Sequence, residues 1–529
     1  MATTENAVER WLAFFLTWVL LNCVALALLR RPAVSGAVAL AVVAVLVLLS
    51  ELKYKVLWMT VSFVDLMLID QDTIAFLFTV FPGLRSIVPI ALAAAVPLLM
   101  LLWRIDPVRI PRGLAAIAAL GSIAGLIGIS QAVPLEPHQT FYGNNHLSGF
   151  ARSAVDAISD LITRGFMESE AVAADRLKSS ALACQPAGQL PHIILVHDES
   201  SFDIRRALGV KVPAGYGSHF LSFDGQERNF IVEGAGGPSW YTEYNVLAGL
   251  SARSFGRFAY FVTRVAAGRV ERGLPHALRR CGYRTFSLYP ALGGFMSAGE
   301  FQKTVGFENF YDSAALGSRD MERDQFYYDA AIRIMERQRT AGPLFIYVYL
   351  AANHFPWDFR WRPDLAPNWH PTGNAPEIDE YLRRQTLSAQ DYTDFLARLR
   401  GDFPAESFLL VRYGDHQPDF ATSILDPGLD EAALGRRLLA RDQRYYTTYY
   451  AIDAVNFRPV NTSSALDTLE GPYLPLVILE SAGLSLDPSF AEQKKILDRC
   501  YGLFYGCGAG AEARRFNRLL IDAGLIKGL

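Results

Sequence analysis

Four long apolar runs fill the first 133 residues, and they constrain the fold more than any other feature of this sequence. The runs cover residues 11–29, 32–50, 87–103 and 114–133. A helix rising 1.5 Å per residue needs about 20 such residues to cross a hydrocarbon core of roughly 30 Å. We therefore predict four membrane-spanning helices.

The arginines that flank these runs predict the orientation of the chain. Arg30 and Arg31 follow the first run, and three more arginines separate the third run from the fourth: Arg104, Arg109 and Arg112. By the positive-inside rule these two loops are cytoplasmic, which places the N-terminus and everything after residue 134 on the outer face. A missed fifth span would reverse only the N-terminus. A cleaved signal peptide is the alternative for the first run, but a second run follows at once and no basic cluster precedes it.

The remaining chain predicts a globular domain. The 529 residues are 51% hydrophobic, with a mean hydropathy of +0.17. That is too long for one ordinary domain and too apolar for a purely soluble protein. The net charge of −3 gives no support for a nucleic-acid partner. We divide the chain into a transmembrane domain (1–134), a connecting helix and linker (135–190) and an extracytoplasmic domain (191–529).

Two segments link these parts. Residues 53–84 mix aromatic side chains with lysines and aspartates, a composition typical of a membrane interface. This loop either guides a lipid headgroup toward the globular domain or only supports the membrane region. Residues 149–177 carry apolar side chains at helical spacing, which predicts the connecting helix.

After residue 191, short apolar runs alternate with helical patterns. The predicted strands are 192–198, 229–232, 284–289, 344–350, 407–412 and 446–455, and the predicted helices are 239–250, 324–338, 379–400 and a late one ending near 484. Such alternation is typical of a mostly parallel sheet covered on both faces by helices. We expect an α/β domain that follows the membrane helices.

Side chains that bind metals or phosphate stand where three of these strands end. Glu199 follows the first strand, His354 follows 344–350, and the pair Asp415 and His416 follows the apolar run ending at Val411. Ser239 opens a helix after a glycine-rich turn. The carboxyl ends of strands in an open α/β sheet are where ligands bind, and the free N–H groups of a helix start favour an anion. Individually these residues are ordinary caps or solvated side chains, but together they suit one divalent cation.

These motifs, in this order, resemble the group of lipoteichoic acid synthases and phosphoglycerol or phosphoethanolamine transferases, which carry a sulfatase-like domain of the alkaline phosphatase superfamily. The resemblance spans residues 191–484 and the membrane region. It implies a metal site of Glu199, Ser239, Asp415 and His416, with Ser239 as nucleophile. It implies that His354 is a catalytic residue that binds the substrate phosphate, either by hydrogen-bonding the phosphoryl oxygens or by protonating a leaving oxygen.

The resemblance also implies a function. One divalent ion, manganese or zinc, would assist transfer of a phospho-headgroup from a membrane phospholipid donor to an envelope glycan or lipid acceptor. A phosphoserine would form on the way, and the multi-pass protein would sit in the bacterial inner membrane with its catalytic domain outside. A sulfatase-like phosphodiester hydrolase is the alternative, and a non-catalytic scaffold is disfavoured because every expected ligand is present.

Three details qualify this interpretation. Ser239 replaces the commoner threonine, and Thr242 is a rival nucleophile. The segment after Ser239 lacks the x-Pro-x-Arg that formylglycine sulfatases need, which argues against sulfate-ester chemistry. The loop 293–300 lacks the tryptophan and arginine that bind glycerophosphate in the related synthases, so the headgroup stays open. We place His197, Asp198, His219 and Glu243 around the site as supporting residues.

The cysteines allow two disulfides. Cys23 lies in an apolar run, whereas Cys184, Cys281, Cys500 and Cys507 lie outside the membrane region. In an exported domain such a set favours Cys500 with Cys507 and Cys184 with Cys281. Free buried thiols are the alternative.

Overall fold

The structure is a computed structural model that describes residues 8–57, 59–68, 74, 78, 83–133, 145–170, 176–177, 184, 186, 188–318 and 321–528. The chain forms two compact units. The first comprises residues 1–165 with 429–440, and the second comprises 166–428 with 441–529.

The first unit is built from apolar helices. They are α1 (Val8–Leu29), α2 (Pro32–Leu57), α3 (Leu84–Ile105), α4 (Arg112–Ala132) and α5 (His146–Thr163). The first four have the length and composition needed to cross a membrane, so the four predicted helices are confirmed and their insertion into a membrane stays a prediction. Each begins or ends within a few residues of its prediction, except that α2 continues seven residues past Ser50.

The connecting helix is shorter than predicted. Helical spacing continues in the sequence to residue 177, but α5 ends at Thr163. Gly165 then adopts a left-handed φ of 74°. Beyond it, Met167 is buried and the Glu168 N–H donates to the Ser254 carbonyl in the second unit. The residues after Thr163 therefore pack against the second unit's own residues instead of continuing the helix that the spacing predicted.

Part of the predicted interfacial loop 53–84 lies outside the described residues, namely 58, 69–73, 75–77 and 79–82. Its described start contains a salt bridge between Lys53 Nζ and Asp65 Oδ1 at 2.7 Å, and both side chains are largely buried. The Ser62 N–H also donates to Asp65. A role in guiding a lipid headgroup stays a prediction.

The second unit is an α/β domain around one eight-stranded sheet. Its strands are β1 (His192–Asp198), β2 (Arg228–Ile231), β3 (Arg284–Leu288), β4 (Asn309–Tyr311), β5 (Leu344–Tyr349), β6 (Phe408–Gly414), β7 (Thr447–Val455) and β8 (Thr468–Glu470). Their order is β4-β3-β5-β1-β6-β7-β2-β8. Only β7 runs antiparallel to its neighbours, so the predicted mostly parallel sheet is confirmed.

Helices follow most strands, as the alternation predicted. They are α6 (Ser239–Ala248), α7 (Val262–Ala266), α8 (Leu274–Arg280), α9 (Ala298–Thr304), α10 (Ser313–Leu316), α11 (Asp324–Gln338), α12 (Pro376–Asp402), α13 (Ala421–Leu425), α15 (Leu474–Ser481), α16 (Pro488–Cys500) and α17 (Ala511–Asp522). The intervening α14 (Glu431–Leu439) belongs to the first unit.

The central strands β1, β5 and β6 are buried along their whole length. Alternate side chains such as Ile194, Ile346 and Leu410 pack with residues of α11 and α12 in one core cluster. Burial on both faces explains why these strands are continuous apolar runs rather than alternating ones.

Both predicted disulfides are present. Cys184 pairs with Cys281, and Cys500 pairs with Cys507. Cys23 in α1 is free. The alternative of free buried thiols is therefore wrong for these four residues.

Candidate metal centre and active site

The register between β1 and β6 brings two predicted ligands together. The strands are parallel, and Asp198 lies level with Gly414, the last residues of the two strands. Glu199 and Asp415 are therefore the first residues beyond two adjacent strand ends. Gly414 permits this closeness, because a Cβ there would lie 1.8 Å from the Ser201 carbonyl oxygen.

Ser239 and His416 complete a compact set of polar atoms. Ser239 Oγ lies 3.1 Å from His416 Nε2 and 3.5 Å from Glu199 Oε2. His416 Nε2 lies 3.3 Å from Asp415 Oδ2 and 3.6 Å from Glu199 Oε1. All four predicted ligands thus meet at one place, and each side chain is buried.

These separations fit a shared cation. Ligands bound at about 2.0–2.2 Å in a tetrahedral arrangement lie roughly 3.3–3.6 Å from one another. Asp415 Oδ2 is fully buried and has no hydrogen-bond partner among the described residues. A buried carboxylate oxygen without a partner is costly unless something positive binds it. The donor set therefore fits one divalent metal ion.

The carboxylates experience opposite electrostatic surroundings. Burial would raise the pKa of Asp415, but the His416 and His197 imidazoles outweigh it and hold that pKa at about 2. Asp415 Oδ1 also accepts N–H groups from Ser200 and His416, at 2.7 and 2.8 Å. Burial, together with the charge of Asp415, raises the pKa of Glu199. A cation would favour the ionised form of both acids.

The tautomer of His416 is fixed by its neighbour. Nδ1 lies 2.8 Å from the Gln417 carbonyl oxygen, which only accepts hydrogen bonds. Nδ1 therefore carries the proton, and Nε2 presents its lone pair to the site. Metal-binding histidines are commonly oriented in this way.

His197 is a participant that the sequence did not identify as a ligand. It is the sixth residue of β1, fully buried, and its Nε2 lies 3.1 Å from Asp415 Oδ2. His197, Glu199 and Asp415 place ligand atoms within 4.8 Å of one another. In the sequence it is one polar residue inside an apolar strand, and only the pairing of β1 with β6 shows what it faces.

The other supporting candidates lie behind the site. Asp198 accepts hydrogen bonds from His219 Nε2, at 2.9 Å, and from the Tyr449 hydroxyl. Glu243 accepts one from Gln302 Nε2 at 2.8 Å, and burial raises its pKa to about 8. These contacts are structural, and no described contact joins either acid to Ser239.

His354 lies half-buried beside the cluster, and the structure shows no hydrogen bond between it and the other described site residues. Its Nδ1 lies 2.9 Å from the Phe355 carbonyl oxygen, so Nε2 carries the lone pair when the ring is neutral. Burial lowers its pKa, and His416 lowers it further. The ring therefore prefers the neutral form.

Two buried side chains hold the segment that carries His354. Arg384 of α12 donates to the His354 carbonyl at 2.9 Å and to the Pro356 carbonyl at 2.8 Å. Asp324 at the start of α11 accepts the Ala352 N–H at 3.0 Å. The backbone at His354 is thus anchored from two helices.

The geometry separates the two candidate nucleophiles. Thr242 Oγ1 donates to the Asp415 carbonyl at 2.6 Å and is fully buried. Ser239 Oγ instead faces His416 and Glu199 at the start of α6, a helix of 10 residues. Only Ser239 combines the ligand cluster with a helix N-terminus.

Part of the chain matches a known family model. Residues 236–450 match the family model described as Sulfatase. That segment contains Ser239, His354, Asp415 and His416, and it begins after Glu199. No curated protein sequence matches the chain.

Solved structures with similar folds include three enzymes. The lipoteichoic acid synthase LtaP from Listeria monocytogenes is 18% identical, with 57% of this chain and 74% of that chain covered and a TM-score of 0.43. The phosphoglycerol transferase GacH from Streptococcus pyogenes is 15% identical, with coverages of 65% and 88% and a TM-score of 0.49. The lipooligosaccharide phosphoethanolamine transferase EptA from Neisseria meningitidis is 11% identical, with coverages of 90% and 95% and a TM-score of 0.45.

Proposed function

We propose that this chain, whose globular unit contains a sulfatase-type domain, transfers a phospho-headgroup from a membrane phospholipid to an envelope hydroxyl through a phosphoserine at Ser239. The observation that carries the proposal is the position of Ser239 Oγ, 3.1 Å from His416 Nε2 at the start of α6. A hydroxyl placed against metal ligands and free helix N–H groups suits nucleophilic attack on a phosphorus atom.

Glu199, Ser239, Asp415 and His416 would hold the ion, manganese or zinc. When bound, the ion would lower the pKa of a coordinated hydroxyl and withdraw charge from phosphoryl oxygens. Asp415 is kept in place for this role by the N–H groups of Ser200 and His416. His416 is kept in the correct tautomer by the Gln417 carbonyl.

In the first half of the reaction, the Ser239 hydroxyl gives up its proton as Oγ forms a bond to phosphorus. The bond between phosphorus and the diacylglycerol oxygen breaks, and that oxygen takes up a proton. The N–H groups in the first turn of α6 steady the phosphoryl oxygens. In the second half, an acceptor hydroxyl loses its proton and forms the new bond to phosphorus, while the bond to Ser239 Oγ breaks and Oγ regains a proton. The headgroup, phosphoglycerol or phosphoethanolamine, is thereby moved intact.

His354 suits the proton transfer of the second half. Its Nδ1 proton is bonded to the Phe355 carbonyl, and its pKa is lowered, so Nε2 is a neutral base. Nε2 takes the proton of the acceptor hydroxyl as that oxygen attacks phosphorus. Donation of a proton to the diacylglycerol oxygen is the weaker role, because it needs the disfavoured charged ring.

The membrane helices support a lipid donor. Four helices are long and apolar enough to span a bilayer, and the arginine pattern puts the globular domain outside the cytoplasm. The protein would therefore work as a multi-pass protein of the bacterial inner membrane, facing envelope glycans or lipids. Water in place of the acceptor would make the same site a phospholipid hydrolase.

The test uses the purified full-length protein in lipid micelles, loaded with zinc or manganese. We would supply phosphatidylglycerol or phosphatidylethanolamine carrying a labelled headgroup, and measure released diacylglycerol and label on the Ser239 peptide. One of the two donors should yield both products, and Ser239→Ala should yield neither. Diacylglycerol release that persists in Ser239→Ala would refute the phosphoserine route.

A further inference from the structure

His197 is an unusual residue for a fully buried strand. It is fully buried in β1, and the residues on either side of it in that strand are Val196 and Asp198. The proposed ligand set of Glu199, Ser239, Asp415 and His416 does not use it. A buried imidazole carries two polar nitrogens, and each needs a partner.

One nitrogen of the ring has partners and the other has none. Nδ1 lies 2.9 Å from the Tyr347 hydroxyl and 2.8 Å from the Tyr413 hydroxyl. Nε2 has no hydrogen-bond partner among the described residues. The unpartnered nitrogen is the one that faces the metal cluster.

The atom nearest to Nε2 is unpartnered as well. Asp415 Oδ2 lies 3.1 Å away, and that oxygen also lacks a hydrogen bond within the described part of the chain. The two atoms are thus neighbouring, buried and both of the kind that binds a divalent metal. A shared ion would give each of them a partner.

We propose that His197 Nε2 is a further ligand of the same divalent ion, so that the site contains two imidazoles. His197 Nε2 lies 3.1 Å from Asp415 Oδ2. The distances from His416 Nε2 to Ser239 Oγ, Asp415 Oδ2 and Glu199 Oε1 are similar, at 3.1–3.6 Å. The inference rests on the proposed function in one premise, which is that one ion binds at Glu199 and Asp415.

The tyrosines around His197 fit this role. The Tyr347 and Tyr413 hydroxyls lie 3.1 Å apart and both face Nδ1, so an Nδ1–H group has two oxygen acceptors there. The Tyr349 ring stacks on the imidazole at 3.7 Å between centroids. These three side chains fix the ring plane and allow the tautomer in which Nε2 keeps its lone pair.

A second imidazole changes which metal the site prefers. Carboxylate and hydroxyl oxygens suit manganese and magnesium, whereas imidazole nitrogens favour zinc and the later transition metals. With His197 and His416 both bound, the ion has two nitrogen ligands beside its oxygens. We therefore expect zinc as the resident ion.

X-ray absorption at the zinc edge of the loaded full-length protein tests the inference without measuring activity. The wild-type spectrum should fit two imidazole ligands, and His197→Gln should fit one. His276→Gln is the matched control, because His276 Nε2 contacts the Thr304 carbonyl on α9, away from the carboxylates, and that variant should keep two. A wild-type spectrum with one imidazole would overturn the proposal and would assign His197 to hydrogen bonding with Asp415.

Metal affinities give a second readout. His197→Gln should weaken zinc binding by about 100-fold or more and manganese binding by about 10-fold or less, because the lost nitrogen matters more to zinc. Equal losses for both metals would contradict the assignment. If the wild-type spectrum shows one imidazole and the protein still transfers the headgroup, only this inference is refuted. If the spectrum shows two imidazoles and the protein transfers no headgroup, only the proposed function is refuted.

Discussion

Ser239 carries the proposed chemistry at the scale of single residues. Ser239→Ala should lose turnover, because no other hydroxyl of the described residues combines the cluster with the start of α6. Metal binding should weaken but persist, since Glu199, Asp415 and His416 remain. Labelled-lipid turnover and zinc titration would measure the two effects.

Ser239→Thr is the matched control for that change, since it keeps a hydroxyl on the same atom. It should retain part of the activity. Full activity in Ser239→Ala would end the mechanism, and Thr242 would then be tested next.

His354 should affect the reaction rate and not the metal. His354→Ala should slow turnover by roughly 10²- to 10⁴-fold, the usual effect of removing an acid–base group, with unchanged zinc affinity. His370→Ala is a suitable control, because His370 is an exposed histidine in the segment that follows. A lowered pKa also means that the neutral base survives to more acidic pH. The acidic limb of the pH–rate profile should therefore fall below the ordinary histidine value of about 6.5.

Most of the site could be predicted at this scale, and His197 shows the limit. Glu199, Asp415 and His416 were recognisable because each follows an apolar strand. The sequence could not show that His197 faces Asp415, because that contact depends on the pairing of β1 with β6, whose residues are about 216 positions apart along the chain. The neutral state of His354 likewise follows from burial and from the Phe355 carbonyl, neither of which a motif reveals.

At the scale of elements, the long strands and helices were predictable and the short ones were not. α11 begins and ends where its helical spacing predicts, and β1, β5 and β6 match continuous apolar runs. β4 and β8 have three residues each, too few to show a period, so neither strand can be recognised from its residues alone. The antiparallel direction of β7 could not be predicted either, because the apolar sequence of a buried strand is the same for a parallel and an antiparallel neighbour.

The contact between α11 and the His354 segment should make stability depend on pH. Burial raises the pKa of Asp324 to about 7, so the folded protein binds this proton more tightly than the unfolded chain does. The stabilisation is complete below about pH 4, the unfolded value, and is lost as pH rises toward 7. Asp324→Asn keeps an acceptor for the Ala352 N–H but cannot titrate. A plot of the thermal midpoint against pH should therefore be flatter between about pH 4 and 7 for this variant than for the wild type. The exposed Asp394→Asn should leave the profile as in the wild type; an unchanged slope in Asp324→Asn would contradict the assignment.

The two disulfides predict a labelling pattern. Alkylation of the denatured, unreduced protein should modify Cys23 alone, and reduction should then expose Cys184, Cys281, Cys500 and Cys507. Peptide mass spectrometry would locate the labels. Labelling of Cys500 and Cys507 before reduction would show that this bridge does not form in the cell.

At the scale of the whole molecule, the arginine pattern predicts the topology. A tag before Met1 and a tag after Leu529 should both be cut by protease added outside the inner membrane. Protection of the C-terminal tag would contradict an extracytoplasmic domain and with it the proposed function. Protection of the N-terminal tag alone would mean that the chain crosses the membrane once more than predicted.

The register that brings Glu199 beside Asp415 also sets the order of events during biogenesis. Ser239 is 40 residues from Glu199 and 177 from His416, so no short piece of the emerging chain contains the ligand set. The proposed binding site exists only after strands distant in sequence have paired, which is a slow step in folding. Loading of the proposed metal would therefore be a late event in maturation, and the ion would stabilise a sheet that has already formed without it.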